Sequence, residues 1–233
     1  MNGLKKLIAT LLAVVTIWSI HTAYVRGKAN IYYFRAESRL NQWAKNDKIK
    51  DKEDYQKALY SITLAHQLDP GHPHYVHILG RIIQWGIDFG FDSDSKLPQV
   101  KQYFLSSTKL RPLWPDPWID LALLNDSLEG YTPETVHYRD QALKTGPYWD
   151  TVTSGVIKLL LKYWDVLSNS DKALLNKELK ITLKRNALLE DAFYFSNQYH
   201  QVKRVCNILK SLLLINEQSE NFIVKRNCAI EEK

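Results

Sequence analysis

Proline recurs at Pro70, Pro112 and Pro147, each time one residue after a helical pattern closes. The three blocks are Ala58–Leu68-Asp69-Pro70, Val100–Leu110-Arg111-Pro112 and, more loosely, Val136–Thr145-Gly146-Pro147. Proline lacks an N–H and clashes with the turn before it, so it halts the preceding helix. The prolines stand 42 and 35 residues apart. A period near 34 residues with this punctuation is that of stacked helical hairpins. Glycine is scarce, at 9 residues, and apolar runs of period 2 are missing, which argues against sheets and glycine-rich phosphate loops.

Finer positions agree. Ala58 and Ala65 lie seven apart on one helix face, where small residues allow close helix approach. After Pro70 come Leu79-Gly80; after Pro112, Trp118, Leu121 and Ala122 fill the aromatic, leucine and small positions; after Pro147 only Val156 matches. These blocks resemble degenerate tetratricopeptide repeats. An insertion over Gly86–Pro98 accounts for the longer interval. Thr132-Pro133 makes a good helix start, Ser170-Asp171 opens another, and two helices follow near Ala187–Tyr199 and Gln201–Ile215.

Leu7 to Val25 are nineteen residues without formal charge, flanked by Lys5-Lys6 and Arg26-Gly27-Lys28. As a helix they span about 28 Å, close to a bilayer's hydrocarbon thickness. Leu7, Leu11, Leu12, Val14, Val15, Ile17, Trp18 and Ile20 are the anchor residues, with Trp18 and Tyr24 toward the interface. His21-Thr22-Ala23, the best cleavage candidate, puts a bulky histidine where a small residue is wanted, so an uncleaved anchor is expected. Orientation stays open. Arg26, Lys28, Arg35 and Arg39 favour a cytoplasmic C-terminal side, whereas a short basic N-terminus before a first span usually stays inside.

The pI near 9.1 invites a nucleic-acid reading. Residues 1–50, however, hold nine Lys/Arg against Glu37 and Asp47, and the remainder holds 22 against 23. The basicity belongs to the anchor and its flank, which suits anionic head groups, and no nucleic-acid partner is expected. The expected architecture is all-α: an N-terminal transmembrane helix followed by a tetratricopeptide-like α-solenoid of helical hairpins. Its segments are an anchor over 1–28, a basic juxtamembrane helix over 29–50, repeats over 51–168, C-terminal helices over 169–216 and a polar tail over 217–233.

Candidate chemistry is thin. His72-x-His74-x-x-His77 contains a metal-ligand spacing, but these residues straddle a turn whose only nearby acid is Asp69, so solvent-exposed histidines are expected. Asp92-x-Asp94 opens like a calcium loop without its glycine or closing glutamate. Asp116 and Asp120 suit a helix start. Seven tryptophans and thirteen tyrosines are many; inter-helix packing accounts for Trp85, Trp118, Trp149 and Trp164. Trp114, Trp118, Tyr148 and Trp149 are the candidate binding aromatics. Cys206 and Cys228 fit neither a zinc site nor a redox pair; they are separate thiols or, in an oxidising compartment, a disulfide. No phosphate loop, dinucleotide fingerprint, nucleophile elbow or zinc-protease helix occurs, and neither an enzyme nor a cofactor is expected.

Four stretches resemble the VpsP-type polysaccharide biosynthesis proteins. They are Leu68-Asp69-Pro70-Gly71 with Tyr75 and Leu79-Gly80-Arg81; Leu110-Arg111-Pro112-Leu113-Trp114-Pro115 with Trp118; Thr145-Gly146-Pro147-Tyr148-Trp149; and Val205-Cys206. Asp116-Pro117 and Tyr148-Trp149 depart from the pattern, the latter standing where Trp-Glu is expected. The resemblance implies a scaffold in exopolysaccharide or capsule assembly. It would be single-pass in a bacterial inner membrane, with its body on the periplasmic side. Its partners would be other components of a synthesis or export complex, the lipid bilayer and, through exposed aromatics, the polysaccharide itself. No catalytic residues carry over.

Overall fold

The structure, a computed structural model, describes residues 2–215 and 221–229. Among them are eleven α-helices, two short 3-10 turns and no strand. The chain divides into two compact units, Met1–Arg111 and Pro112–Lys233.

The first unit holds α1 (Asn2–Asn46), α2 (Lys52–Leu68), α3 (Pro73–Asp88) and α4 (Leu97–Leu110). α1 is one uninterrupted helix of 45 residues. The side chains along its N-terminal half are exposed, with Leu7, Ile17 and Trp18 each at 68%. Its C-terminal half is the first helix of a hairpin with α2. Ala29, Tyr33, Ala36, Leu40 and Trp43 recur at alternating intervals of four and three and are buried. Trp43 Nε1–H donates to Asp54 Oδ2 at 2.6 Å, and Arg39 pairs with the other oxygen at 3.0 Å. Residues 29–46 of the basic segment expected over 29–50 are therefore continuous with the exposed apolar run and packed against α2, and 47–50 form the connection between the two helices.

α3 and α4 form the next hairpin, and α2 packs on α3. The intervening insertion turns at Gly90, whose φ of 73° suits glycine, and at a 3-10 turn over Asp94–Lys96. Asp92 is consumed locally: Tyr55 Oη–H donates to it at 2.5 Å and Lys96 pairs with it at 2.7 Å. Burial alone would raise its pKa, yet these donors hold it below the usual value. Asp92 thus has protein partners of its own on α2 and in the 3-10 turn.

The second unit holds α5 (Pro115–Glu129), α6 (Pro133–Thr145), α7 (Asp150–Lys162), α8 (Asn169–Thr182), α9 (Asn186–Gln198), α10 (Val202–Ile215) and α11 (Phe222–Cys228). α5 pairs with α6, while α7 packs on α5, α8 and α9. Thr132 and Ser168 cap α6 and α8 by accepting from Thr135 N and Asp171 N.

The repeat is visible in backbone and core alike. Asp69, Arg111 and Gly146, the residues before the three prolines, adopt φ/ψ of −142/78°, −143/79° and −147/66°. Their N–H groups close on the carbonyls of Ala65, Ser107 and Ala142. In each second helix the residues at i, i+4 and i+7 are buried: 58/62/65, 100/104/107, 135/139/142 and 175/179/182. One triplet is aliphatic, one holds Phe104, one holds Arg139 and one is built on two leucines. The fourth exists although no proline marks its end.

The segment expected as a polar tail contains α11, because Phe222-Ile223-Val224 supplies an apolar edge on which Ile223 and Val224 are buried. The rest of that tail, 217–220 and 230–233, lies outside the described residues. Cys206 on α10 and Cys228 on α11 form a disulfide, with Cα atoms 5.7 Å apart and a sequence separation of 22. The double replacement Cys206→Ser/Cys228→Ser is expected to lower unfolding stability by about 3 kcal/mol, from the loop closed. Denaturant melts of the oxidised protein and the variant check this.

Candidate functional site

The candidate aromatics gather at the N-terminal ends of α5 and α7. Trp114 and Trp149 occupy the same place in consecutive repeats, the extended residue before the helix, with φ/ψ of −91/118° and −82/129°. Neither side chain caps its own helix. Both turn instead to Asp116. Trp114 Nε1–H donates to Asp116 Oδ2 at 2.6 Å, Trp149 Nε1–H to Oδ1 at 3.1 Å, and Thr151 Oγ–H to Oδ1 at 2.5 Å. One carboxylate in the first turn of α5, favoured there by the helix dipole, thus ties two junctions together. The turns also touch through Gly146, where an added Cβ would sit 2.7 Å from the Pro115 ring.

The four aromatics are not equivalent. Trp114 is 9% exposed and Trp118 half-buried, the latter donating Nε1–H to Pro112 O at 2.9 Å and lying beside Tyr138. Tyr148 and Trp149 are 66% and 52% exposed. Trp149 is therefore half open to solvent while its N–H reaches Asp116 of α5, whereas Trp85 packs against Trp43 and Phe89. Trp164 lies beneath Arg204, whose Cζ is 4.5 Å from the ring centroid.

The histidines are not solvent-exposed turn residues. His77 lies on the inner face of α3, 2% exposed and 5.5 Å from the Phe104 ring. His72 stacks on Tyr75 at 4.0 Å, and Arg111 Nη1–H donates to His74 Nε2 at 2.9 Å. Burial lowers the pKa of His66, His72 and His74. Among the described residues no three His, Cys, Asp or Glu side chains converge as a metal site. The difference from expectation arises because α3 begins at Pro73, so His74 and His77 are helical and one of them points into the hairpin.

No sequence motif marks α8, yet it carries a groove. Lys177, Lys180 and Lys184 are exposed, and with Tyr148, Ile181 and Arg185 they line a space of about 330 Å³. Arg185 Nη1–H donates to Tyr148 O at 3.0 Å and pairs with Asp150. Glu178 on the same helix is turned fully inward, accepting from Thr153 Oγ–H at 3.0 Å. Its burial outweighs that bond and the Lys177 charge, and its pKa is raised. A raised folded-state pKa favours the folded state most below the unfolded value, and that advantage is lost as pH rises through the folded value. Glu178→Gln is accordingly expected to gain stability relative to wild type as pH climbs above about 4, the unfolded value, until the folded-state carboxyl has ionised. Thermal midpoints across that range check the sign.

No family profile matches this sequence, and a comparison with curated proteins finds no related sequence. Solved structures do resemble it. A thermophilic TPR protein of Thermus thermophilus superimposes with a TM-score of 0.53 at 12% identity, covering 85% of this chain and 97% of that one. YrrB, described as a TPR protein with an unusual peptide-binding site, gives 0.39 at 12% identity over 80% of this chain and 86% of that one. Yeast Tom70 gives 0.27 at 12% identity over 88% and 58%. Of the three, the Thermus likeness is the one that shows the fold. The chain is a tetratricopeptide-like array of helical hairpins whose first helix is long and apolar enough to cross a membrane.

Proposed function

We propose that this chain is a membrane-tethered scaffold that docks protein partners in exopolysaccharide or capsule synthesis or export. The observation that carries it is the continuity of α1. One helix supplies both the exposed apolar run and the buried stripe from Ala29 to Trp43. A bilayer covering the first half would hold the α1–α2 hairpin at the membrane surface with no linker between span and hairpin. Stacked hairpins offer extended surfaces suited to proteins and peptides. The polysaccharide context rests on the resemblance of the junction residues to VpsP-type proteins.

The array belongs outside the cytoplasm on this reading. The Cys206–Cys228 disulfide supports that side, since such bonds persist in oxidising compartments. Alkaline phosphatase fused after Lys233 should be active, and an inactive fusion would reverse the orientation. Deleting the chain from its host should abolish matrix production, and normal matrix in the deletion strain would overturn the scaffold reading.

A second reading is favoured by the exposure of Tyr148 and Trp149: a glycan stacked on those rings. Calorimetric titration of the cognate polymer into wild type and Tyr148→Ala/Trp149→Ala separates the two. The scaffold reading expects no heat difference.

A further inference from the structure

Between Lys172 and Arg185 the chain carries five cations and a single acid, Glu178. Because Glu178 is turned fully inward, the exposed charges from Lys177 to Arg185 are all positive. The charge is local: residues 112–233 as a whole hold 15 basic and 16 acidic side chains. Neighbouring cations are already engaged, Arg185 by Asp150, Arg139 by Asp171 and Lys162 by Asp126. Among the described residues no acid pairs with Lys180 or Lys184, which line the same groove as Lys177.

The groove has three further properties. Lys177 and Lys180 stand three residues apart on α8 and Lys184 lies in the turn that follows it, and all three line the one space. Its floor includes Ile181, an aliphatic contact. Its rim is the Tyr148 ring, on a backbone held by Arg185.

We propose that this groove binds an acidic peptide segment of a partner protein, with carboxylates on Lys180 and Lys184 and an apolar side chain against Ile181 and Tyr148. The apolar floor favours a peptide over an acidic polysaccharide, which carries no aliphatic side chain to fill it. The inference rests on the protein-docking reading above and names the class of segment docked. Individual surface ion pairs contribute little, so binding would be moderate, fast and strongly salt-dependent.

The test uses the full chain in phosphatidylcholine nanodiscs. The probes are fluorescein-labelled twelve-residue peptides carrying glutamate pairs two residues apart beside valine or leucine, their glutamine twins, and polygalacturonate. Anisotropy should show the acidic peptides binding, at least tenfold weaker in K180E/K184E and several-fold weaker in Tyr148→Ala, with affinity falling as salt rises. Circular dichroism should show both variants folded, since every substituted side chain is exposed. Equal binding by the glutamine twins, unchanged binding in K180E/K184E, or tighter binding of polygalacturonate in the groove would each overturn the proposal. Rescue of a deletion strain by K180E/K184E would remove this inference and leave the scaffold reading standing, whereas a deletion without phenotype would remove the scaffold reading itself.

Discussion

Replacing Arg139 with alanine is expected to destabilise the Pro112–Lys233 unit by about 3–5 kcal/mol, because it breaks a buried ion pair from one side. Arg139 stands at the middle of a core triplet, where the first two triplets carry Ile62 and Phe104. Its side chain is 6% exposed and pairs with Asp171 at 2.7 Å and Asp140 at 2.8 Å. It also meets the Tyr131 hydroxyl, and burial of that phenol pushes its pKa up to about 12. Asp171 lies in the first turn of α8 and is itself 17% exposed, so alanine at 139 strands a carboxylate and opens a void together. Arg139→Met keeps the volume and should cost less than alanine. Pairing Arg139→Ala with Asp171→Ala should be less than additive, with a coupling of about 1–3 kcal/mol. Denaturant melts of the four proteins of that cycle give the coupling directly. Strict additivity would mean that the pair is structurally present and energetically idle.

Phe104→Ala is expected to cost about 3–5 kcal/mol in the first unit, through lost burial and the cavity left behind. Phe104 is fully buried on α4, and its ring occupies the space that Gly80 leaves open on α3. A Cβ on residue 80 would stand 2.7 Å from Phe104 Cε1, inside contact distance. Gly80→Ala alone should therefore cost about 1–3 kcal/mol from overpacking. In the Phe104→Ala background the same change should cost clearly less, since the atom it strikes is gone. Chemical unfolding of the single and double variants tests this, and equal penalties in both backgrounds would show that the hairpin is not held by that contact.

The proline junctions were legible in the sequence because proline acts locally. It dictates the backbone of the residue before it, and Asp69, Arg111 and Gly146 adopt nearly one conformation. Where no proline stood, the repeat became hard to see. The turn after α8 runs through Leu183 and Lys184 to Arg185, which takes the place held by Trp114 and Trp149, and nothing in its composition announces that position. The C-terminal half of α1 was obscured differently. Lys28, Arg35 and Arg39 make it look like a soluble flank, while the buried stripe is built from two alanines, a tyrosine, a leucine and a tryptophan. Arg139 was opaque for a related reason, since a charged residue gives no sign of burial until its partner from α8 is in place. That the indole N–H groups of Trp114 and Trp149 both reach Asp116 is a tertiary relation, which composition does not announce. Nothing in the sequence singles out Lys177, Lys180 and Lys184, because it is the inward turn of Glu178 that leaves them unbalanced.

Nitroxide labels placed singly at Val14, Trp18, Tyr24, Ile31 and Phe34, all exposed on α1, test most directly whether membrane span and array share one helix. Power saturation in liposomes should find oxygen accessibility highest at 14 and 18, lower at 24, and replaced by aqueous relaxant at 31 and 34. Additional labels through residues 26–40 should show an unbroken period of about 3.6 residues. Aqueous accessibility at 14 and 18, or a loss of helical period between 26 and 30, would contradict a first hairpin that shares its helix with the membrane span.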